Sequence, residues 1–403
     1  MKRRMADPAK PNHKVVNPYA NYITDIMTGY FLGDPVTYTS EDSELLNVLN
    51  AIYNYNDESA ENAELSQDAS ITGVAFEILY LDADKQIRFE AISSLGGIPI
   101  YEDTIEGDLL YFIRYYTSKD ILTDKETTIV EVYSRSEIIT YAKDFATSGL
   151  TFKNRVSHSF GMVPVVVYYN NKEALGDFEP VLSEIDAYDI LESDSLNEMD
   201  YFADAYLGLY GMGGTDSDDI AAMKEQRVLL MPADGKAEWI VKNPSDTYIE
   251  NMKTRIDANI HKFSKCPAMT DQDFAANASG VAMKYKLMGL ENATSKKERA
   301  FKVGLQRRLE LICRMLAVMG NNYDYRAVNI VFTRNIPTNL VEIAGVINDL
   351  GRLLSDETKI SLLPLDVDFA TEQARKQAEA EAGYSIDFEV NNNGDEDVQI
   401  LEG

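Results

Sequence analysis

The chain has 403 residues, with 38 Lys or Arg against 66 Asp or Glu and a formal net charge of −28 at pH 7, which excludes whole-molecule attraction to nucleic-acid phosphate. Hydrophobic residues make up 45% and charged residues 26%, which excludes wholesale disorder and leaves room for two or three domains or one elongated modular subunit. Two cysteines, Cys266 and Cys313, exclude a disulfide framework; no apolar run nears the ~20 residues of a membrane span and none follows the basic MKRRMADPAK, so the expectation is a soluble protein made in a reducing cytoplasm.

In chain order, Tyr19, Tyr22, Ile23, Ile26, Tyr30 and Phe31 recur near helical spacing until Gly33 and Pro35 punctuate the pattern. SEDSELLNVLNAIYNY predicts a second helix with Leu45, Leu46, Leu49, Ile52 and Tyr53 on one side. From about Ile71 to Tyr169 the pattern turns to strands: a hairpin around Asp82–Lys85, then LLYFIRYY, TTIVEVYS and VPVVVYYN.

GDFEPVLSEIDAYDILESDSLNEMDYFADAYLGLYG then predicts one long helix, with Asp177 as its cap and Pro180 in the first turn. Ten carboxylates and no Lys or Arg lie between Asp177 and Tyr206. A solvated helix normally mixes signs to gain neighbouring ion pairs, so this uniform charge needs a reason. A short insert follows, with clustered glycines in GMGGTDSDD and strand patterns in QRVLLMP and AEWIVK. PSDTYIENMKTRIDANIHKFSK is helical again and stops at Pro267.

Residues 268–279 are small and polar, and Ser279 is placed to cap what comes next. A helix predicted from Gly280 to Met319 would span roughly 60 Å. It carries nine Lys or Arg and three Glu, with Val281, Tyr285, Met288, Phe301, Leu305, Leu309, Ile312, Leu316 and Met319 on its apolar face. AVNIVFTRNIP predicts a strand, TNLVEIAGVINDLGRLL, SDETKISLLP and TEQARKQAEAEA predict helices, and NNNGDEDVQILEG is an acidic tail expected to be mobile.

Catalytic patterns are missing. His13, His158 and His261 are far apart and have no ligand or triad partner at useful spacing. There is no phosphate-binding loop ending in Gly-Lys-Ser/Thr, and GLYGMGGTDSD lacks the strand–loop–helix context of one. Helix spacing spreads the carboxylates along a rod, whereas a two-metal nuclease needs them convergent. The expectation is no catalysis, metal or cofactor; a metal-dependent DNA-processing nuclease using clustered acids is the alternative from another class.

Five blocks carry a resemblance. KPNHKVVNPYANYITDIMTGYFLGDPVTY, ITGVAFEILYLDADKQIRFEAI, NNKEALGDFEPVLSEIDAYDILESDSLNEMDYFADAYLGL, DFAANASGVAMKYKLMGLENATSKKERAFKVGLQRRLELI and VFTRNIPTNLVEIAGVINDLGRLLSDET resemble portal proteins of tailed bacteriophages, in the branch typical of siphophages of Gram-positive hosts. The resemblance covers roughly residues 10–365. It implies an α+β, mainly helical fold and a homo-oligomeric ring, usually of twelve copies, at one capsid vertex in the virion, assembled in the host cytoplasm. Double-stranded DNA would pass weakly and non-specifically through its bore during packaging and ejection. The implied partners are the terminase large subunit, major capsid and scaffolding proteins and a head-completion or adaptor protein, with no membrane. A non-portal head-assembly adaptor is the neighbouring alternative. Family members usually carry several dozen more residues ahead of this N-terminus, so the expectation is a shortened start.

The same resemblance implies a domain plan. Residues 1–176 with 280–320 and 321–365 would form the wing, 177–206 and 244–267 the stem, 207–243 the clip, and 366–403 a short crown. Residues 268–279 would be the tunnel loop, with Asp271, Asp273, Phe274, Ala275, Ala276, Asn277, Ala278 and Ser279 facing the DNA. The stem acids Glu184, Asp186, Asp189, Glu192, Asp194, Glu198, Asp200 and Asp204 would keep the channel wall repulsive, so that the duplex slides. Lys284, Lys286, Lys296, Lys297, Arg299, Lys302, Arg307 and Arg308 of the basic helix would anchor the loop from behind and pair with acids of adjacent subunits.

Overall fold

The structure, a computed structural model, describes residues 12–202 other than 106, 125 and 145–148. It also describes 206–211, 235–240 and a few single positions between them, 246–269, 280–334, and parts of 345–361 and 369–381. The chain divides into two compact units, Met1–Asn335 and Ile336–Gly403.

The first unit is an α+β stack of three layers. Its middle layer is an antiparallel three-stranded sheet in the order β3-β2-β9, formed by β2 (Val74–Leu81), β3 (Ile87–Ile92) and β9 (Val165–Tyr169). Side chains alternate across a strand, so each face of β2 serves a different neighbour. Phe76 and Ile78 join Val165, Phe112 and Tyr133 in a core facing a five-stranded meander. That meander consists of β4 (Gly97–Tyr101), β5 (Leu109–Lys119), β6 (Glu126–Tyr133), β7 (Glu137–Asp144) and β8 (Thr151–Ser157). Ala75 and Leu79, with Val166 and Tyr168 of β9, face the helical layer.

That helical layer contains α1 (Tyr19–Leu32), α2 (Ser43–Asn56), α3 (Glu58–Thr72) and the C-terminal half of α6 (Gly280–Val318). Phe31, Leu45, Leu49, Leu65, Phe301, Leu305, Leu309 and Ile312 fill its core. Asp42 caps α2 by accepting from the main-chain N–H of Glu44 and Leu45 at 3.1 and 3.0 Å, and β1 (Thr37–Thr39) pairs with β12 (Asn329–Val331) beside it. Gly304 lets α6 lie on β9, since a Cβ there would sit 2.3 Å from the Tyr168 ring. Gly73 ends α3 at φ +83°, with Ala174 O only 2.0 Å from where a Cβ would be.

Two further helices, α4 (Leu182–Phe202) and α5 (Asp246–Ser264), pack on each other, and the strand pair β10 (Tyr206–Tyr210) and β11 (Lys236–Ile240) lies between them in sequence. The second unit has α7 (Asp356–Ser361) and α8 (Phe369–Glu381), and the Ser355 hydroxyl caps α7 at the Thr358 N–H. Most of the expected helix over 338–354 and all of the acidic tail lie outside the described residues.

The structure departs from the sequence expectations in several places: strands β1, β4, β7 and β8 are unexpected, and three further differences bear on the site. Helix α3 carries only a weak apolar period, because beside Leu65 and Ala69 its buried face is polar: Glu58, Asn62, Ser66 and Ser70 recur every four residues facing the core. The long acidic helix begins at Leu182, not Asp177, and Tyr206–Tyr210 belong to a strand. Asp177 does not cap the helix. Its carboxylate instead accepts from Ser70 Oγ and Lys297 Nζ at 2.5 Å each, and from Asn170 Nδ2 at 2.8 Å.

Candidate functional site

The acidic helix α4 and its partner α5 run antiparallel. Glu192 meets Lys253 at 2.8 Å, while Tyr188, one turn earlier, shares Tyr19 with Asp257, one turn later on α5. The hydrogen bond to Glu192 is the main cause that holds the Lys253 ammonium above its usual range.

A second chain segment lies along the other side of α4. Residues 13–17 run past it in extended form, held once per turn by a polar stripe on the helix. Asp189 Oδ1 accepts from Asn17 N and Nδ2 at 2.9 and 3.0 Å. Ser193 Oγ accepts from Val15 N at 3.0 Å, Asn197 Oδ1 from His13 N at 2.6 Å, and Asp200 meets the His13 ring. Asp189 is 7% exposed. Asp189 and Glu192 thus make their polar contacts within the subunit, Asp189 buried and Glu192 part-exposed. Asp186 and Asp194 are exposed and have no ion-pair partner among the described residues; Glu184 and Glu198 are half-buried. Asp204 lies outside the described residues.

Where α5 ends, an aromatic cluster fixes the chain that leads into 268–279. His261 must donate from Nδ1 to the carbonyl of Cys266 at 3.0 Å, because a carbonyl only accepts. Its ring meets Tyr22 and Tyr19 edge-on at 5.7 and 6.2 Å. Tyr19 donates to Asp257 at 2.6 Å, and burial followed by that carboxylate pushes its phenol far above the usual range. Tyr22 donates to Pro267 O at 3.0 Å and accepts from Met269 N at 2.7 Å. One tyrosine of α1 thus pins both sides of residue 268. The expected loop residues Asp271, Asp273, Phe274, Ala275, Ala276, Asn277, Ala278 and Ser279 lie outside the described residues, as does most of 207–243.

The basic helix α6 sorts its cations by face. Lys286, Lys296 and Arg299 are exposed; Lys302 reaches Ile330 O at 3.1 Å and Arg307 pairs with Glu310 at 3.0 Å. The side chain of Lys284 lies outside the described residues. Lys297 and Arg308 are not available to an adjacent subunit. Lys297 is 4% exposed against Asp177, and burial holds its ammonium below the usual range. Arg308, wholly buried, forks onto Glu77 at 2.9 and 2.6 Å and reaches Glu58 at 3.2 Å and Asn62 at 2.8 Å. Its guanidinium also stacks 4.5 Å from the Phe89 ring centroid. Tyr38 and Tyr168 donate to the same two carboxylates at 2.5 and 3.0 Å.

Sequence reasoning missed His13, Asn17, Ser193, Asn197, Tyr22, Asp257, Glu58 and Glu77 as working residues. A signal existed for the buried cations: Lys297 and Arg308 fall on the apolar stripe that runs through Leu290, Phe301, Leu305 and Ile312. Among the described residues, no three His, Cys, Asp or Glu converge where a metal ion would be held, and no helix is long and apolar enough to cross a membrane.

Comparison with known proteins gives this arrangement a family. A portal protein of Bacillus phage SPP1 is 23% identical over 396 residues, covering 94% of this chain and 78% of its own. One from Clostridium phage phiCD119 is 24% identical over 357 residues, covering 83% and 78%. A solved structure described as "Neck of empty GTA particle computed with C6 symmetry" shares the fold at a TM-score of 0.50 and 13% identity, over 87% of this chain and 91% of that one. The family profile described as "Phage portal protein, SPP1 Gp6-like" matches residues 1–384, and this chain belongs to that phage portal family.

Proposed function

We propose that this portal-family chain assembles head-to-tail into a ring, expected to hold twelve copies, and that double-stranded DNA passes through its bore at one vertex of the phage capsid. In that ring α4 and α5 form the stem, and the outward acids of α4 line the wall. Residues 268–279 form the tunnel loop at the bore, 207–243 the clip, the three-layer body the wing, and 366–403 the crown. The clip would meet the terminase large subunit during packaging and a head-completion adaptor afterwards, and the outer body the major capsid and scaffolding proteins. The subunit itself performs no catalysis; the motor supplies the work.

The single observation that carries this reading is α4, which presents Asp186 and Asp194 to solvent and holds no Lys or Arg. Duplex DNA carries about one charge per 1.7 Å, so a basic sleeve would bind it in a strongly salt-dependent way, whereas an acidic wall lets it slide. The Tyr22 clamp supports the loop assignment, because a segment pressed against a moving duplex needs a fixed root. Electron microscopy of the purified protein should show rings with an open centre. In a packaging reaction driven by the cognate motor, Asp186→Lys/Asp194→Lys should slow DNA entry several-fold, more at low salt than at high salt. Solid monomers in every buffer, or a packaging rate indifferent to the substitutions, would refute the reading.

A further inference from the structure

The three-stranded sheet ends in an edge that nothing in the described structure covers. Asn170 N bonds Gly73 O, and Leu79 N bonds Pro164 O, so the even-numbered residues of β9 turn their main chain towards β2. The N–H and C=O of Val167 and Tyr169 therefore point the other way, and no partner for them exists among the described residues. Along this edge runs an open groove of about 890 Å³. One wall is α6, which contributes Val303, 64% exposed, with Lys296 and Arg299; Lys172 stands at the end of β9. The other wall is the β4–β5 hairpin, where Tyr101 meets Tyr169 hydroxyl to hydroxyl at 3.0 Å.

These parts fit one kind of occupant. Unpaired strand-edge groups recruit another strand, whose main chain supplies affinity and whose alternate side chains supply specificity. Here one side of the added strand would meet Leu109 and Val167, and the other would meet Lys172, Lys296 and Arg299, none of which has an ion-pair partner among the described residues. Two acids also line the groove, Asp108 and Glu173, while Arg307 there is already paired with Glu310, so the three unpaired cations outnumber the acids. We infer that the β9 edge is a docking site for an extended segment of a different protein, alternating apolar with acidic side chains, which adds to the sheet as a fourth strand.

A second copy of this chain fits less well. In its two larger sheets the other free strand edges are β8, which brings Lys153 and Arg155, β4, interrupted by Pro99, and β3, which mixes Arg88 with Glu90. The first repels the groove and the second lacks a main-chain donor.

The test uses full-length protein and fluorescein-labelled heptapeptides read by anisotropy. The acidic probe Val-Glu-Val-Asp-Val-Glu-Val should bind at least tenfold tighter than its lysine counterpart, and N-methylation of alternate amides should weaken it at least fivefold. Lys296→Glu/Arg299→Glu should invert the preference between the two probes. Val303→Asp, a separate exposed change on the same wall, should weaken the acidic probe. Failure of the acidic probe to bind, charge-independent binding, or binding that survives N-methylation would overturn the inference. A change in assembly mass of the double variant by light scattering would also overturn it, by assigning the groove to contacts between copies.

Discussion

Replacing Arg308 with methionine should strip the helical core of its central cation and strongly destabilise the subunit. The substitution roughly keeps volume and helix propensity but removes the cation between Glu77 and Glu58, which are 0% and 7% exposed. Glu77 would lose both guanidinium bonds and keep only Tyr168; Glu58 would keep Tyr38 and Asn62. Breaking a buried pair from one side costs about 3–5 kcal/mol, because the partner charge stays desolvated. With a urea m-value of about 3 kcal/mol/M, the midpoint should fall by about 1–2 M. Circular dichroism at fixed protein concentration is the assay, since assembly shifts apparent stability by mass action. Arg308→Met/Glu77→Leu/Glu58→Met should recover most of the loss, because an apolar replacement of the whole cluster is close to neutral. A fall below about 0.3 M for the single variant, or a triple variant no better than the single, would refute a stabilising role of charge pairing at this site.

Asp189→Ala removes the acceptor of both Asn17 bonds, each to a charged group and so worth about 1.5–3 kcal/mol locally. Amides of residues 14–17 should exchange at least tenfold faster while α6 keeps its protection; unchanged exchange would show that the strap is held by something else. Burial pushes the Cys266 and Cys313 thiols up to about 12 and about 11. Native protein at pH 8.5 should therefore react with iodoacetamide about 10²–10³-fold slower than the unfolded chain, and one fast thiol per chain would contradict this. The sign follows from linkage. Folding favours the neutral thiol, so this stabilisation is complete below about pH 8.5 and is lost as pH rises through the folded values. Gly304→Ala should cost about 1–3 kcal/mol by wedging α6 off Tyr168, and an unshifted unfolding midpoint would show that the two elements are not in close contact.

What the sequence disclosed and what it hid divide along physical lines. Helices α1, α2 and the C-terminal half of α6 were legible because their buried faces are largely apolar at a 3.6-residue period, whereas Tyr285 and Met288, expected on the apolar face of α6, are exposed. Strands β2, β5, β6 and β9 were legible because β-branched and aromatic residues dominate them. Helix α3 was hidden because, apart from Leu65 and Ala69, its core face is a polar ladder whose partner, Arg308, lies about 250 residues away. Strand β8, TFKNRVS, was hidden because it is exposed throughout and so carries no alternation. At Asp177 local chemistry pointed to a helix cap, yet the carboxylate is claimed by Lys297, 120 residues on. The acidic run of α4 was visible as a whole, but its division into a gripping stripe and an open face was not. Asp189 and Asp194 look alike in sequence; the difference is Asn17, 172 residues earlier.

That division changes how charge acts in the proposed bore. Asp186 and Asp194 stand eight residues apart, or about 12 Å along the helix. In a ring each becomes a tier of like charges. The screening length is about 8 Å at physiological salt and about 30 Å at 10 mM, so the tiers act separately in the first case and overlap in the second. Reversing one tier alone, with Asp186→Lys, would leave a local attractive band that the Asp194 tier cannot offset at physiological salt but does offset at low salt. Reversing both removes the offset between the two tiers, and the attraction should then strengthen as salt falls more than it does in the single variant. The single variant should therefore show a flatter salt dependence of DNA entry than the double variant. Parallel salt profiles for the two would mean that these carboxylates do not face the duplex as separate rings.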